Sequence, residues 1–192
     1  MARPREFDTD AALADAMNVF WQHGYDAATL PALLKGMGLT RGSLYKAFAD
    51  KKTLFLKSLN RYEAEAVDPA IALLTTGPAD GLERISTLFR GVLEAVEHGD
   101  QRGCLLCSAA AGPSAVDTDI SEVVQRQLRK MGEAFYIALT QSASYKETEE
   151  SKQRSTASLL LTQYIGLRVM IKSKAPIGTI RESVKAINMV IS

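Results

Sequence analysis

The chain is 192 residues long, 46% hydrophobic and 23% charged, with a formal net charge of +1. That length suits one large domain or two small ones, and the balance is that of a folded globular protein rather than a disordered one. Two cysteines exclude a disulfide-rich secreted scaffold, and nothing approaches the roughly 20-residue apolar run that a membrane helix needs. The N-terminus MARPREFDTD lacks an apolar signal core, so a cytoplasmic location with no membrane partner is expected.

Apolar residues recur at helical spacing and strand alternation is nearly absent, which predicts an all-α fold of about nine helices. The first helix, 8–24, places Leu13, Met17, Phe20 and Trp21 on one face, with Asp8 or Thr9 as cap and Gly24 as stop. Thr29 caps a short helix, 30–36. Gly36 and Gly38 mark a turn, and Thr40 caps a second short helix from Arg41 to Phe48. Asp50 opens a longer helix, 51–74, which Pro69 should bend or break. TTGPADG is a connector. Helix 80–97 follows, with Leu82, Ile85, Leu88, Phe89, Val92, Leu93 and Val96 as its stripe. CLLCSAAAG reads as a short buried helix ended by Pro113. Helices at 118–142, 150–173 and 178–190 complete the chain, the last two separated by Pro176. The expected division is a three-helix head, 1–50, and a larger helical body, 51–192.

A short polar helix held against an apolar one by a glycine turn is how a helix-turn-helix enters the DNA major groove. The second short helix carries Arg41, Ser43, Tyr45 and Lys46, whose side chains hydrogen-bond to phosphates and base edges. Arg41 suits bidentate contact with guanine. Thr29 and Thr40 stand at helix starts, where hydroxyls and free backbone N–H groups meet phosphates. Charge is concentrated in the same place: residues 35–61 hold seven basic side chains against the single acid Asp50, whereas 62–192 hold 14 basic and 16 acidic ones. Arg3 and Arg5 form a short basic arm that could reach an adjacent groove.

The head resembles the tetracycline-repressor (TetR) family of transcriptional regulators. The resemblance rests on Phe20, Gly24, Tyr25, Thr29, Leu33, Gly38-Leu39-Thr40, Gly42-Ser43-Leu44-Tyr45, Phe48, Lys51, Leu54 and Phe55. It covers about the first 60 residues. Pro31-Ala32 departs from the polar or acidic residue usual in that turn, a place where proline is tolerated. The resemblance implies that Tyr45 and Lys51 grip the DNA backbone while Arg41, Ser43 and Lys46 face the groove. It also implies that the body binds a small-molecule effector and dimerises. The effector would shift two heads matched to the half-sites of a palindromic double-stranded operator, releasing a repressor.

Within the body, Phe89, Leu93, Cys107, Met131, Phe135 and Tyr164 are candidate lining for an effector pocket, with Tyr136 and Arg168 as polar contributors. The last two helices carry long apolar stripes: Leu160, Leu161, Ile165, Leu167 and Ile171 on one, and Ile180, Val184, Ile187 and Ile191 on the other. Gly166 permits close approach. Two such helices per subunit, packed as a four-helix bundle, would form a homodimer; burial inside the chain's own body is the alternative. Cys104 and Cys107 form a C-x-x-C without a second pair or a histidine in metal spacing, so no metal and no cofactor are expected. RGCLL resembles a segment in those family members that sense oxidants or electrophiles, which makes a redox sensor through Cys104 and Cys107 a second reading. An enzyme lacks support, since H-E-x-x-H, G-x-S-x-G and P-loop motifs are absent. A helical adaptor is the remaining alternative.

Overall fold

The computed structural model describes residues 7–191, so Arg3 and Arg5 lie outside the described residues. Among those described there are ten α-helical segments and no strand. Helix α1 (Thr9–His23) starts at Asp8, whose carboxylate accepts from the backbone N–H groups of Asp10 and Ala11. It ends at Gly24, which takes the positive φ that closes the helix. Helices α2 (Leu30–Met37) and α3 (Arg41–Phe48) are capped by Thr29 and Thr40, and Gly38 supplies the left-handed turn between them. Ala12, Ala16, Met17, Phe20, Leu33, Leu44 and Phe48 form the buried centre of this trio, together with Leu54 and Phe55 from the next helix.

Asp50 caps α4 (Lys51–Tyr62), which runs through one π-helical turn (Glu63–Val67) into α5 (Asp68–Thr75). Pro69 therefore does not break the rod. The wider turn just ahead of it absorbs the proline's missing N–H and the crowding against the preceding turn. Counted as one rod, α4 and α5 bring the total to nine helices. The body adds α6 (Gly81–Glu97), α7 (Leu105–Ala111), a 3₁₀ turn (Pro113–Val116), α8 (Thr118–Thr140), α9 (Glu150–Lys172) and α10 (Ile177–Ile191). Helix α8 runs through the middle, against α4, α5, α6, α7 and α9, and α10 packs on α6 and α9. None of these helices is long and apolar enough to cross a membrane.

The stripes expected to form a dimer face lie inside the body instead. Leu160, Leu167, Ile171, Ile180, Val184, Ile187 and Ile191 are all buried, and Leu161 and Ile165 are half-buried against the same core. Periodicity located an apolar face correctly, but that face packs intramolecularly. The opposite faces of α9 and α10 expose Leu159, Val169, Met189 and Val190. Gly166 is exposed, with open space around it.

Two features fix the helix arrangement. Glu63, buried on the π turn, accepts from Arg126 Nη2 (2.7 Å), Lys130 Nζ and Gln127 Nε2 (3.1 Å), tying the α4–α5 rod to α8. Burial raises the Glu63 carboxyl, but its bonds from Lys130 and Arg126 outweigh that and hold it below the usual carboxylate value. At Gly81, the carbonyl of Ala138 occupies the place a Cβ would take, so the start of α6 lies directly on the end of α8.

Glu63→Gln should cost about 1–3 kcal/mol at neutral pH, because the two cations lose a buried partner but are themselves half solvated. A group whose folded pKa is depressed stabilises above its unfolded value, here about 4.3. That contribution fades as pH falls through the lowered folded value, so wild type and variant should converge in acid. Thermal melts from pH 7 to 3 check this; equal melting points at pH 7 would dismiss the tie. Gly81→Ala should cost about 3 kcal/mol or more. Gly91→Ala, on an open face of α6, should add about 0.5–1 kcal/mol. Urea unfolding of the pair distinguishes a packing glycine from an idle one.

Candidate nucleic-acid interface

Helix α3 has two faces. Leu44 and Phe48 point inward and are buried, while Arg41, Tyr45 and Lys46 are exposed. Tyr45 is 41% exposed, so its phenol is not a core group. The Arg41 guanidinium lies 5.7 Å from the centre of the Tyr45 ring, which sets the two side by side on the outer surface. Thr40 accepts from Ser43 N (3.3 Å), and the two hydroxyls lie 3.0 Å apart. Ser43 is accordingly half-buried and engaged in the cap. Thr29 accepts from Ala32 N and is exposed at the start of α2. Lys51 is half-buried, with Nζ 4.6 Å from the centre of the Tyr25 ring. Burial lowers its pKa, and the charge of Asp26 partly offsets this.

Ala49 closes α3 with φ 62° and ψ −63°, and the Asp50 N–H bonds back to Phe48 O at 2.8 Å. That is a tight, strained γ-turn for a residue with a Cβ. It brings Lys51 back beside Tyr25, so one short surface holds Thr40, Arg41, Tyr45, Lys46 and Lys51.

The basic excess around the head is partly spent on structure. Lys52 bridges Asp117 (2.8 Å) and Asp119 (2.6 Å) at the start of α8, and Arg61 bridges Asp10 (2.7 Å) and Glu65 (2.7 Å). Hydrogen bonds to Asp117 and Asp119 raise the Lys52 pKa. The head is also fastened at the end of α1. Trp21 Nε1 donates to Gly103 O (3.2 Å), the Arg102 guanidinium stacks 3.8 Å from the Trp21 ring centre, and Lys172 Nζ donates to Trp21 O (2.7 Å) and Gln22 O (2.8 Å).

In the body, Phe89, Phe135 and Tyr164 meet as an aromatic triangle with ring centres 6.1–6.2 Å apart. Met131 and Cys107 are buried with them in the core, whereas Leu93 lies in an outer groove between α6 and α10 with Arg90, Arg181 and Val184. Tyr136 faces outward beneath Arg154, 4.1 Å from ring centre to guanidinium. Arg168 turns inward and donates to Tyr164 Oη (3.1 Å) and, at 3.5 Å, to Gly103 O. Tyr62, absent from the sequence-based candidates, donates to Cys104 Sγ at 3.5 Å. A hydrogen bond from Cys107 lowers the Cys104 thiol to about 6 against opposing burial, with help from the Arg168 charge and the Tyr62 hydroxyl. The same bond and burial push Cys107 up. Tyr62 and Trp21 form no local pattern in the sequence that would have marked them.

Residues 12–57 match the model of the bacterial regulatory proteins, tetR family. The uncharacterized HTH-type transcriptional regulator YezE of Bacillus subtilis (strain 168) is 26% identical over 187 residues, 96% of either chain. The HTH-type transcriptional repressor ComR of Escherichia coli (strain K12) is 48% identical over 60 residues, which are 31% of this chain and 29% of ComR. Among solved structures, a cysteine mutant of the TetR family transcriptional regulator CifR, complexed with 26-base-pair double-strand operator DNA, superposes with a TM-score of 0.83 at 27% identity and covers 98% of both chains. Together with the exposed face of α3, these likenesses identify the chain as a DNA-binding transcriptional regulator whose residues 12–57 are of the tetR family of bacterial regulatory proteins.

Proposed function

We propose that this regulator is a homodimeric repressor that leaves its operator when the body senses an effector. One observation carries the reading: a doubly capped helical pair projects Arg41, Tyr45 and Lys46 from an exposed face whose other side is pinned by Leu44 and Phe48. Phosphate contacts fall to Tyr45, Lys51 and the capping threonines Thr29 and Thr40. Base contacts fall to Arg41 and Lys46, with Ser43 near the groove floor. The operator-bound state of CifR supports a double-stranded DNA partner. Dimerisation falls to the outward faces of α9 and α10, where Leu159, Val190, Gln163 and Ala186 border a groove of about 320 Å³. An effector acts only through its unequal affinity for the bound and released head spacings, and its place in this reading is the aromatic triangle of Phe89, Phe135 and Tyr164 beside Arg168.

A second reading places the signal on a thiol. It is favoured by the surroundings of Cys104, a buried thiol that faces Arg168, Tyr62 and Cys107. An enzyme or an adaptor gains no such support.

Retention of duplex fragments, including the one upstream of the gene itself, tests the main reading; no salt-sensitive retention of any duplex would reject it. Lys51→Ala should weaken binding to all sequences and reduce the salt slope by about 1, and an unchanged slope would remove Lys51 from the phosphate contacts. Arg41→Ala should lose about 1–3 kcal/mol of discrimination at one base pair; an unaltered sequence preference would show that it reads no base. Met189→Glu with Val190→Glu, at side chains 68% and 66% exposed, should yield monomers in sedimentation with a melting point close to wild type. Intact dimers would place the interface elsewhere.

A further inference from the structure

The cations of the reading surface are not equally free. Arg41 and Lys46 stand exposed on α3, whereas Lys51 is half-buried and its ammonium lies over the Tyr25 ring, 4.6 Å from its centre. At that distance the negative face of the ring attracts the charge. Among the described residues no acid pairs with Lys51, and Asp26 acts on it only from a distance. The ring is itself seated. It stacks on Phe20 with centres 6.2 Å apart and lies tilted on Phe55 at 4.7 Å, and both phenylalanines are fully buried. The backbone of Lys51 is equally constrained: it is the first residue of α4, between the Asp50 cap and the γ-turn at Ala49.

We propose that Tyr25 is a positioning residue for DNA binding: its ring face holds the Lys51 ammonium at the edge of the reading surface, ordered for a phosphate before the duplex arrives. The assignment rests on the phosphate contact given to Lys51 above. A lysine side chain is long and flexible, and ordering it on binding costs affinity. A ring beneath the ammonium orders it beforehand and leaves its N–H donors for the phosphate. A carboxylate in the same place would also hold the lysine, but it would cancel the charge and repel the phosphate. Lys52, the next residue, shows that other arrangement, bridging Asp117 and Asp119. Two neighbouring lysines are thus held in opposite ways, one by acids of the body and one by a ring that keeps its charge intact. Burial has already drawn Lys51 partly out of water, so it has less hydration to lose when a phosphate reaches it.

A second ring and cation meet on this surface, Arg41 over Tyr45 at 5.7 Å. Those two side chains are exposed and lie one turn apart on the same helix, so each is only as fixed as the other. Tyr25 is different in kind. It belongs to the segment between α1 and α2, and its ring rests on Phe20 of α1 and Phe55 of α4. Its neighbour Asp26 accepts from Ser114 N at 3.3 Å, which pins the same segment against the 3₁₀ turn of the body. Lys51 is therefore referred to the packed centre of the head rather than to a neighbour on its own helix.

The test uses the full-length protein and a duplex that it retains. Tyr25→Leu keeps apolar bulk but removes the ring face, and should weaken binding to every duplex about three- to tenfold with the sequence preference unchanged. Tyr25→Phe, the conservative variant, should recover that loss to within about twofold of wild type, since it restores the face. The two residues should also be coupled: in a Lys51→Ala background, Tyr25→Leu should change affinity less than about twofold. An equal loss with and without Lys51, or a loss in Tyr25→Phe as large as in Tyr25→Leu, overturns the proposal. Should Tyr25→Leu fail to fold, the wild-type protein decides by proton NMR. The ε-methylene protons of Lys51, assigned by their absence from Lys51→Arg, should resonate upfield of those of the other lysines because they lie over the ring; ordinary positions overturn the proposal. An unchanged salt slope for Lys51→Ala rejects the phosphate reading and this proposal with it. A lowered slope with equal losses in both backgrounds rejects the role of Tyr25 alone.

Discussion

A helix that reads DNA is useful only if its angle to the rest of the molecule is fixed, and here that angle depends on how α1 is held at its C-terminal end. Lys172 caps the carbonyls of Trp21 and Gln22, and Gly103 accepts from the indole of Trp21. The Lys172 contacts satisfy carbonyls that the end of α1 leaves open, so they are worth more than surface hydrogen bonds of the same length. Lys172 carries a lowered pKa caused by burial, which marks a cation drawn partly out of water to perform this task. On the other side of the head, Lys52 bridges two aspartates at the start of α8. Those pairs are solvated and individually weak. The head is thus tied to the body at two places, one partly buried and one solvated.

The head was legible because its signals are local. Asp8, Thr29, Thr40 and Asp50 each cap a helix from one position before it, and Gly24 and Gly38 take the conformations their type permits. Ala49 was not legible: nothing about alanine announces a positive φ. The charge window was half legible. Lys52 and Arg61 belong to the basic run in sequence, but their partners Asp117, Asp119 and Asp10 are far away in the chain. Period alone does not say which protein surface covers α9 and α10, so their stripes fit an interface between chains as well as burial within one. The thiol cluster failed for the same reason, since Tyr62 and Arg168 lie 42 and 64 residues from Cys104.

The body differs from an ordinary apolar core in one respect. Most of its volume is filled by side chains that ask nothing of their neighbours, such as Phe89, Phe135, Leu139 and Leu160. Into this the sequence inserts Arg168, Tyr62, Tyr164 and two thiols, a group that stays satisfied only as a set. Volume-matched apolar residues would serve stability as well or better.

Placement gives that property a direction. The cluster sits at the seam where α7, α9 and the end of α1 meet, one residue from the carbonyl that receives Trp21. A comparable cluster around Tyr136 and Arg154, on the outer face of α8 and α9, touches no part of the head and is open to solvent. Charge changes there are screened by water and end where they begin. At the seam the thiols and phenols are buried and lie against the end of α1, the first helix of the head. Distance from the DNA therefore matters less than which helix the buried charge leans on.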